Sequence, residues 1–226
     1  MNNFSIAIDG PAGAGKSTIA KQLAKTLKCT YIDTGAMYRA VGYYCITQGI
    51  NLEDELAVSG AMGSINIDLT YKEERQCIFL NKEDITEKIR TQEVATSASQ
   101  VATYKVVREA LVERQRELAQ VENIVMDGRD FGTVVLPEAT LKVFLHASAL
   151  ERAKRRYKEY EEKGQVVSLE KLLEEIEARD KQDSTRAVSP LKRAEDAVDI
   201  DSTFKSIEEV VATIMGLLNE RMQGEQ

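Results

Sequence analysis

The stretch GPAGAGKST, residues 10–18, predicts the fold class of this chain. It matches the pattern G-x-x-x-x-G-K-[ST], in which glycines let backbone N–H groups curl around a phosphate at a helix N-terminus. An apolar run at 4–8 precedes it, and 17–28 has apolar residues at helical spacing after it. This context predicts a nucleoside triphosphate site. Its predicted residues are Gly10, Pro11, Ala12, Gly13, Ala14, Gly15, Lys16, Ser17 and Thr18.

Two side chains of this loop have predicted chemical roles. Lys16 is expected to reach the outer phosphates, and the hydroxyl of Ser17 is expected to hold Mg²⁺. Asp127 ends the apolar run 124–127 and is a candidate to hold the same ion through water. A strand-end cap is the alternative interpretation of Asp127.

Length and composition restrict the class of protein. A chain of 226 residues with 43% hydrophobic and 30% charged residues is expected to form one domain with a subsidiary insertion. The net charge of −7 argues against nucleic acid as a partner. No apolar run approaches the roughly 20 residues of a membrane span, and no secretory signal begins the chain. We therefore expect a cytoplasmic protein, monomeric and without a membrane partner.

Cysteine and histidine usage excludes several kinds of site. Cys29, Cys45 and Cys77 have no metal-ligand spacing, so we predict buried or neutral thiols. His146 is the only histidine and ends the apolar run 141–145. A histidine-rich zinc site or a Ser-His-Asp relay is therefore not expected.

The rest of the chain alternates between predicted strands and helices. The predicted core strands are 4–8, 30–33, 124–127, 141–146 and 197–201, which implies a parallel sheet covered on both faces. Residues 65–71 and 76–80 alternate at period two around 72–75, so we predict an antiparallel hairpin in an insertion.

Further helices are predicted from periodicity and caps. They are 35–44, 92–120 with a break near 102–104, 150–163, 169–185 and a final helix after Ser206. Ser148 with Glu151 and Ser206 with Glu209 have the spacing of capping boxes.

The segment Asn81-Lys82-Glu83-Asp84 matches the N-K-x-D pattern of guanine-specific switch proteins. No D-x-x-G accompanies it, and it follows a predicted hairpin strand. A polar turn is therefore the favoured interpretation, and a GTPase switch is the weaker alternative.

Several arginines point to a phosphorylated acceptor. Arg39 and Arg129 follow predicted core strands, where ligands of open α/β sheets bind. Arg179, Asp183 and Arg186 are spaced i, i+4 and i+7, which would place them on one helical face, although a solvated surface is the alternative. Arginines bind phosphate bidentately. A phosphate acceptor is already largely ionised at neutral pH and needs no general base, unlike an alcohol.

At these residues the sequence resembles the bacterial cytidylate kinases. The resemblance is carried by IDGPAGAGKST, DTGAMYRA, IRTQEVATSASQVA, VREAL, DGRDFGTVVLPEA and EIEARDKQDSTRAVSPL. It implies transfer of a phosphoryl group from ATP to CMP or dCMP with Mg²⁺. It also implies a single α/β P-loop kinase domain at 1–226, similar to adenylate kinase. That fold has a five-stranded parallel core, a monophosphate-binding insertion at 37–120 that contains the hairpin, and a short lid at 153–169.

The resemblance also assigns site residues. Ser99, Arg108 and Asp130, helped by Thr34, would read the cytosine ring; the family usually has serine at position 34. Arg39, Arg129 and Arg179 would hold the acceptor phosphate, while Asp183 and Arg186 would face the sugar and Arg186 could also touch phosphate. Lys16, Arg129 and Arg179 are the predicted catalytic residues.

Two points stay open at this stage. Arg152, Arg155 and Arg156 precede the predicted lid and are candidates to reach the transferring phosphoryl group, with a solvated helix face as the alternative. A kinase of another small metabolite, such as shikimate or dephospho-coenzyme A, shares the P-loop. It would leave Ser99, Arg108 and Asp130 without a purpose.

Overall fold

The structure is a computed structural model that describes residues 3–72, 75–120 and 123–224. The chain divides into two compact units. The first comprises Met1–Tyr31 and Ala119–Gln226, and the second comprises Ile32–Leu118. Among the described residues, no helix combines the length and apolar character needed to span a bilayer. The predicted bounds of the insertion, 37–120, and of the lid, 153–169, stay predictions.

The described ranges contain the following elements. In chain order the strands are β1 (Ser5–Asp9), β2 (Thr30–Asp33), β3 (Ile67–Lys72), β4 (Arg75–Leu80), β5 (Glu83–Asp84), β6 (Ile124–Gly128), β7 (Leu141–His146) and β8 (Val198–Asp201). The α-helices are α1 (Lys16–Leu27), α2 (Gly35–Thr47), α3 (Glu55–Ala61), α4 (Gln92–Val101), α5 (Lys105–Leu118), α6 (Ala149–Glu162), α7 (Leu169–Thr185) and α8 (Ile207–Gly224). Single 3₁₀ turns occur at Met62–Ser64 and Lys88–Arg90, and a π-helical turn occurs at Phe131–Val135.

The main sheet has five strands in the order β2-β6-β1-β7-β8. β1 pairs in parallel with β6 and β7, and β7 pairs in parallel with β8. The predicted five-stranded α/β core is therefore confirmed. In this register Asp9 lies opposite both Gly128 and Phe144, so the carboxyl ends of three strands meet at one edge.

The core of the first unit explains why its strands are almost continuously apolar. Ile6 and Ile8 of β1 are completely buried among side chains from both neighbouring strands and from α1 and α8. Leu23 of α1 and Ile214 of α8 belong to the same cluster. Helices pack against the sheet, so a polar residue in the middle of β1 would have no solvent to reach.

Two predicted capping boxes have different outcomes. Ser206 accepts from the N–H of Glu209, and the Glu209 carboxylate accepts from the N–H of Ser206, which confirms that box. Ser148 accepts from the N–H of Glu151, but its own N–H donates to Thr203 Oγ1. The prediction of a reciprocal box at Ser148 is therefore wrong in its second half, because a tertiary contact takes that donor.

The second unit contains α2 to α5 and an antiparallel sheet in the order β3-β4-β5. The hairpin of β3 and β4 is confirmed, although residues 73–74 of its predicted turn lie outside the described residues. The helical break near 102–104 is confirmed as well, since α4 ends at Val101 and α5 begins at Lys105. α3 and β5 were not predicted because each is too short to give a clear period.

The first two residues of the N-K-x-D segment, Asn81 and Lys82, form the turn between β4 and β5, and the last two, Glu83 and Asp84, are β5. Asn81 and Lys82 both have positive φ angles, of 49° and 74°, as a tight two-residue hairpin turn requires. The Asn81 side chain donates to Ser64 O and accepts from the N–H of Asn66. The polar-turn interpretation is therefore confirmed.

Helices α2 and α4 approach each other closely at Gly42. A Cβ at this position would lie 2.2 Å from Ser97 Oγ and 3.0 Å from the Ala98 nitrogen. Ser97 is buried, with its hydroxyl donating to Val94 O. The absence of a side chain at position 42 thus sets the distance between the two helices.

We expect Gly42→Ala to lower the free energy of unfolding by about 1–3 kcal/mol, because overpacking forces the helices apart. Gly60 in α3 is the matched control, since a Cβ there meets nothing within 4 Å. Gly60→Ala should raise stability by up to about 1 kcal/mol through helix propensity. Urea denaturation measures both, and a Gly42→Ala variant as stable as the parent would refute the packing argument.

Candidate active site

The loop between β1 and α1 has the backbone shape expected for phosphate binding. Gly10 is required by close approach, since a Cβ there would lie 1.9 Å from Leu145 O. Gly15 precedes α1 in a left-handed conformation, with φ of 88°. The first N–H groups of α1 therefore follow a loop with few bulky side chains. A helix N-terminus with this arrangement can bind an anion through its backbone N–H groups.

Lys16 is buried at the start of α1, and its Nζ donates to Pro11 O at 2.7 Å. Burial disfavours its charged form, and the positive charge of Arg129 acts in the same direction. Carboxylates such as Asp127 oppose both effects only in part, so the pKa of Lys16 falls to about 7. A bound polyanion would therefore stabilise the charged form of Lys16.

Ser17 and Asp127 are brought together as the metal prediction requires. Ser17 Oγ donates to Asp127 Oδ2 at 2.9 Å, and Tyr31 Oη donates to Asp127 Oδ1 at 2.8 Å. Both carboxylate oxygens are thus oriented by hydroxyl groups. Among the described residues, no group of three or more His, Cys, Asp or Glu side chains could hold a metal ion. A magnesium ion held by few protein oxygens and by substrate phosphates suits such a site.

Asp183 of α7 lies among arginines. Arg129 Nε donates to Asp183 Oδ2 at 2.8 Å, and Arg186 Nη1 lies 3.4 Å from Asp183 Oδ1. Burial would raise the pKa of Asp183, but the positive charges of Arg129, Arg179 and Arg186 outweigh it and hold the pKa below its usual range. We call these four residues the arginine cluster.

The predicted helical face holds only in part. α7 ends at Thr185, and Arg186 is the residue after it, with φ −62° and ψ 145°. The prediction that one helix presents all three residues is therefore wrong for Arg186. Its Nε donates to Ser189 O at 2.7 Å, and this turn directs the guanidinium group back to Asp183.

The arginines of α6 contact protein groups. Arg152 Nη1 donates to Ala12 O at 3.0 Å, and its guanidinium group forms a bidentate pair with Asp180. Arg155 Nη2 donates to Ser202 O at 2.6 Å. Arg156 lies 3.6 Å from Glu175 across the α6–α7 pair. Arg152 thus connects the P-loop backbone to α7, the helix that contains Arg179 and Asp183.

The second unit positions the remaining predicted residues. Arg39 Nη2 pairs with Asp33 Oδ2 at 2.8 Å, and Thr34 is buried at the start of α2. Arg108 of α5 is buried, with its guanidinium carbon 5.5 Å from the centre of the Tyr38 ring. Ser99 is half-buried on α4. Two buried or paired arginines in one small unit indicate a site for an anionic or polar ligand.

The thiols are buried or half-buried, and the single histidine lies beside an aspartate. Cys45 and Cys77 are buried and Cys29 is half-buried. Burial raises the pKa of Cys29 to about 11 and raises that of Cys45, which confirms that these two are neutral thiols. His146 ends β7 as predicted, and its Nε2 lies 3.2 Å from Asp199 Oδ2.

Comparison with known proteins identifies the family. The family model described as cytidylate kinase matches residues 6–220. The chain belongs to the cytidylate kinase family. It is 53% identical to the cytidylate kinase of Geobacillus sp. (strain WCH70), over 98% of this chain and 99% of that protein. It is 48% identical to the cytidylate kinase of Halalkalibacterium halodurans, over 98% of this chain and all of that protein.

These relatives confirm the resemblance that the motifs suggested, and with it the prediction of a nucleoside monophosphate kinase. A solved structure of an uncharacterized protein from Eubacterium ventriosum has a similar fold, with a TM-score of 0.52 and 13% identity. The alignment covers 97% of this chain and 99% of that one. At this identity the likeness concerns the fold alone.

Sequence reasoning missed three residues around this site. Tyr31 orients Asp127, Asp180 receives Arg152, and the buried Asp9 accepts two backbone N–H groups. Asp9 directly precedes Gly10, so its place at the end of an apolar strand was a signal that could have been used. Tyr31 and Asp180 gave no such signal, because their partners are distant in sequence.

We expect ATP binding to take up protons above neutral pH. The phosphates should raise the pKa of Lys16 from about 7 towards its ordinary value, so the affinity for ATP should weaken as pH rises from 7 to 9. Calorimetry at pH 8 in two buffers of different ionisation enthalpy measures the uptake. Lys16→Arg is the control, because its guanidinium group stays charged. A binding enthalpy that is independent of the buffer would contradict the prediction.

Proposed function

We propose that this protein transfers the γ-phosphoryl group of ATP to CMP or dCMP, giving ADP and CDP or dCDP. The observation that carries the proposal is the arginine cluster, three guanidinium groups around Asp183 in the unit that also contains the P-loop. Such a cluster in a protein of net charge −7 suits a second phosphorylated substrate.

ATP is proposed to bind through residues 10–18, with Lys16 on its outer phosphates. Ser17 would hold Mg²⁺, and Asp127 would hold it through water; hydroxyl and carboxylate oxygens are donors that this ion accepts. When bound, the ion neutralises charge on the phosphates. Tyr31 contributes by keeping the carboxylate of Asp127 in one orientation.

The acceptor phosphate is proposed to bind Arg129 and Arg179 of the arginine cluster. Asp183 and Arg186 are proposed to face the sugar, with Arg186 as an additional phosphate contact. Arg39 of the second unit is proposed as a further phosphate ligand. A phosphate of the arriving nucleotide would compete with Asp183 for the guanidinium groups. Because that phosphate is largely dianionic at neutral pH, it can attack without a general base.

The cytosine ring is proposed to be read by Asp130, Ser99 and Arg108, with Thr34 beside them. A carboxylate such as Asp130 accepts a hydrogen bond from the cytosine amino group, whereas the carbonyl oxygen of uracil would repel it. Arg108, buried against Tyr38, is preorganised to donate. This set would therefore favour cytosine over uracil.

Catalysis is proposed to depend on Lys16, Arg129 and Arg179. Their positive charges would stabilise the charge that develops on the transferring group, as fixed dipoles and cations do in phosphoryl transfer. Arg152, Arg155 and Arg156 have protein partners and are assigned a supporting role. We further propose a monomer in the cytoplasm, a reducing compartment that suits three free thiols.

Arg129→Ala should lower kcat/KM for CMP about 100-fold, the order expected when a hydrogen bond to a charged group is lost. ATP binding should survive, because Lys16 and the P-loop remain. Arg114→Ala is the matched control, since Arg114 is partly exposed and pairs with Glu117 and Asp68. Steady-state kinetics and ATP titration measure both variants. Unimpaired turnover of Arg129→Ala would remove it from the site.

The substrate assignment is tested by ADP production from ATP and Mg²⁺ with a panel of acceptors. The panel contains CMP, dCMP, UMP, AMP, GMP, shikimate, dephospho-coenzyme A and a blank. We expect strong turnover with CMP and dCMP only, for the reason given for Asp130. Equal turnover of UMP would show that the base-reading residues are misassigned. Turnover of shikimate or dephospho-coenzyme A alone, or hydrolysis without any acceptor, would refute the proposed reaction.

A further inference from the structure

Asp9 is a buried carboxylate for which the proposed function has no role. It ends β1, directly before the P-loop, and is 4% exposed. Its Oδ1 accepts from the N–H of Phe131 at 2.8 Å, and its Oδ2 accepts from the N–H of Gly132 at 2.7 Å. Both donors belong to the π-helical turn Phe131–Val135, more than a hundred residues away in sequence.

These two contacts make Asp9 the N-terminal cap of that turn. The first N–H groups of a helical turn have no partner within it and are normally capped by the preceding side chain. Here the preceding residue is Asp130, and its side chain makes no capping hydrogen bond. The Asp130 carbonyl accepts from the N–H of Val134 at 2.8 Å, so its backbone belongs to the turn while its carboxylate does not cap it. The N–H groups of Phe131 and Gly132 are therefore capped by Asp9 and not by Asp130.

The packing around the turn leaves little freedom for it to shift. A Cβ on Gly132 would lie 3.2 Å from Lys142 Cδ, 3.3 Å from Ala194 Cβ and 3.4 Å from Asp9 Oδ2. A Cβ on Gly128 would lie 2.3 Å from the Phe131 ring. Of the three residues between these glycines, Arg129 and Asp130 are assigned to CMP above.

We propose that Asp9 is a positioning residue for the acceptor nucleotide: by capping the turn at Phe131 and Gly132 it fixes Arg129 and Asp130 in their binding orientation. The proposal rests on the proposed function, since it concerns residues assigned to CMP there. It ties the strand that leads into the P-loop to the loop that carries the acceptor ligands.

The charge of Asp9 is part of this role. Only an ionised carboxylate accepts on both oxygens with full strength. The charged groups that act on it are Lys16 from α1 and Asp130 beside the turn. The stem of Lys142 of β7 lies near Gly132, but its ammonium group pairs with Asp196. Burial raises the pKa of Asp9 to about 6, the backbone donors Gly132 and Phe131 lower it, and Asp130 adds to the rise. The cap therefore has its full strength above about pH 6 and weakens as pH falls through that value.

The test compares Asp9→Asn with the parent enzyme by calorimetric titration of CMP and of ATP at pH 7.5. An amide offers one acceptor where the carboxylate offers two, so CMP should bind about tenfold more weakly. This is the lower end of the effect of one hydrogen bond to a charged group, because Asp9 acts on CMP only through the turn. ATP affinity should fall much less than CMP affinity, because the P-loop keeps its own contacts and Asp9 is the weakest of the charges acting on Lys16. Hydrogen exchange of the Phe131 and Gly132 amides should become faster. Asp54→Asn, at the exposed N-cap of α3, is the matched control and should change none of these.

The pH dependence of CMP binding gives a second readout. The phosphate of CMP itself titrates near pH 6, but the ratio of the two affinities, parent over Asp9→Asn, cancels this contribution. We expect the ratio to shrink several-fold between pH 7.5 and pH 5.5, because the parent loses its charge and the amide has none to lose.

Gly132→Ala disturbs the same hydrogen bond from the donor residue, because the added Cβ would crowd Asp9 Oδ2. This variant replaces Asp9→Asn in the test if Asp9→Asn folds poorly. It should weaken CMP binding and leave ATP binding unchanged. CMP affinity within twofold of the parent in both folded variants would overturn the proposal. An equal loss of ATP and CMP affinity would overturn it too, because Asp9 would then act through the P-loop. If Arg129→Ala itself retains full CMP affinity, the proposed site fails whatever Asp9 does.

Discussion

Parallel pairing of β1 with β6 is the constraint on which the first unit depends. Because the two strands run in the same direction and in register, Asp9 lies opposite Gly128, and the loops that follow both strands leave the sheet at one edge. The P-loop follows β1, and Arg129 follows β6. Neither loop could be moved by one residue without shifting a whole buried strand, since every residue from Ile6 to Asp9 is buried. The buried strands therefore restrict the positions of the residues proposed to bind phosphate.

Charge balance explains how so many cations can be kept in one place. Arg129 and Arg186 share Asp183, and Arg152 pairs with Asp180. Buried charges of one sign would be strongly destabilising, so each group is held by a carboxylate that an anionic substrate can replace or reinforce. Lys16 differs from these arginines because nearby carboxylates only partly compensate its charge: burial and Arg129 together lower its pKa. The charged form of Lys16 is therefore disfavoured in this structure, and the proposed phosphate ligand would stabilise it.

Local signals in the sequence predicted much of this structure. The apolar strands, the P-loop between strand and helix, and the β3–β4 hairpin all follow from periodicity and spacing. The same reasoning was wrong where a distant partner intervened. Thr203, 55 residues away, accepts the N–H of Ser148 and prevents the reciprocal capping box. Patterns within a few residues cannot include partners that lie 50 or more residues away.

The sequence by itself determined the chemistry of this protein: a P-loop lysine and serine, a set of arginines, and motifs in the order typical of the cytidylate kinases. Those properties depend on residue type and short spacing, which the chain carries before it folds. Only the tertiary structure decided which carboxylate serves which cation, that Tyr31 orients Asp127, and that Asp9 caps a turn 122 residues away. Such contacts join residues that come together only when the sheet forms, so patterns within a few residues cannot predict them.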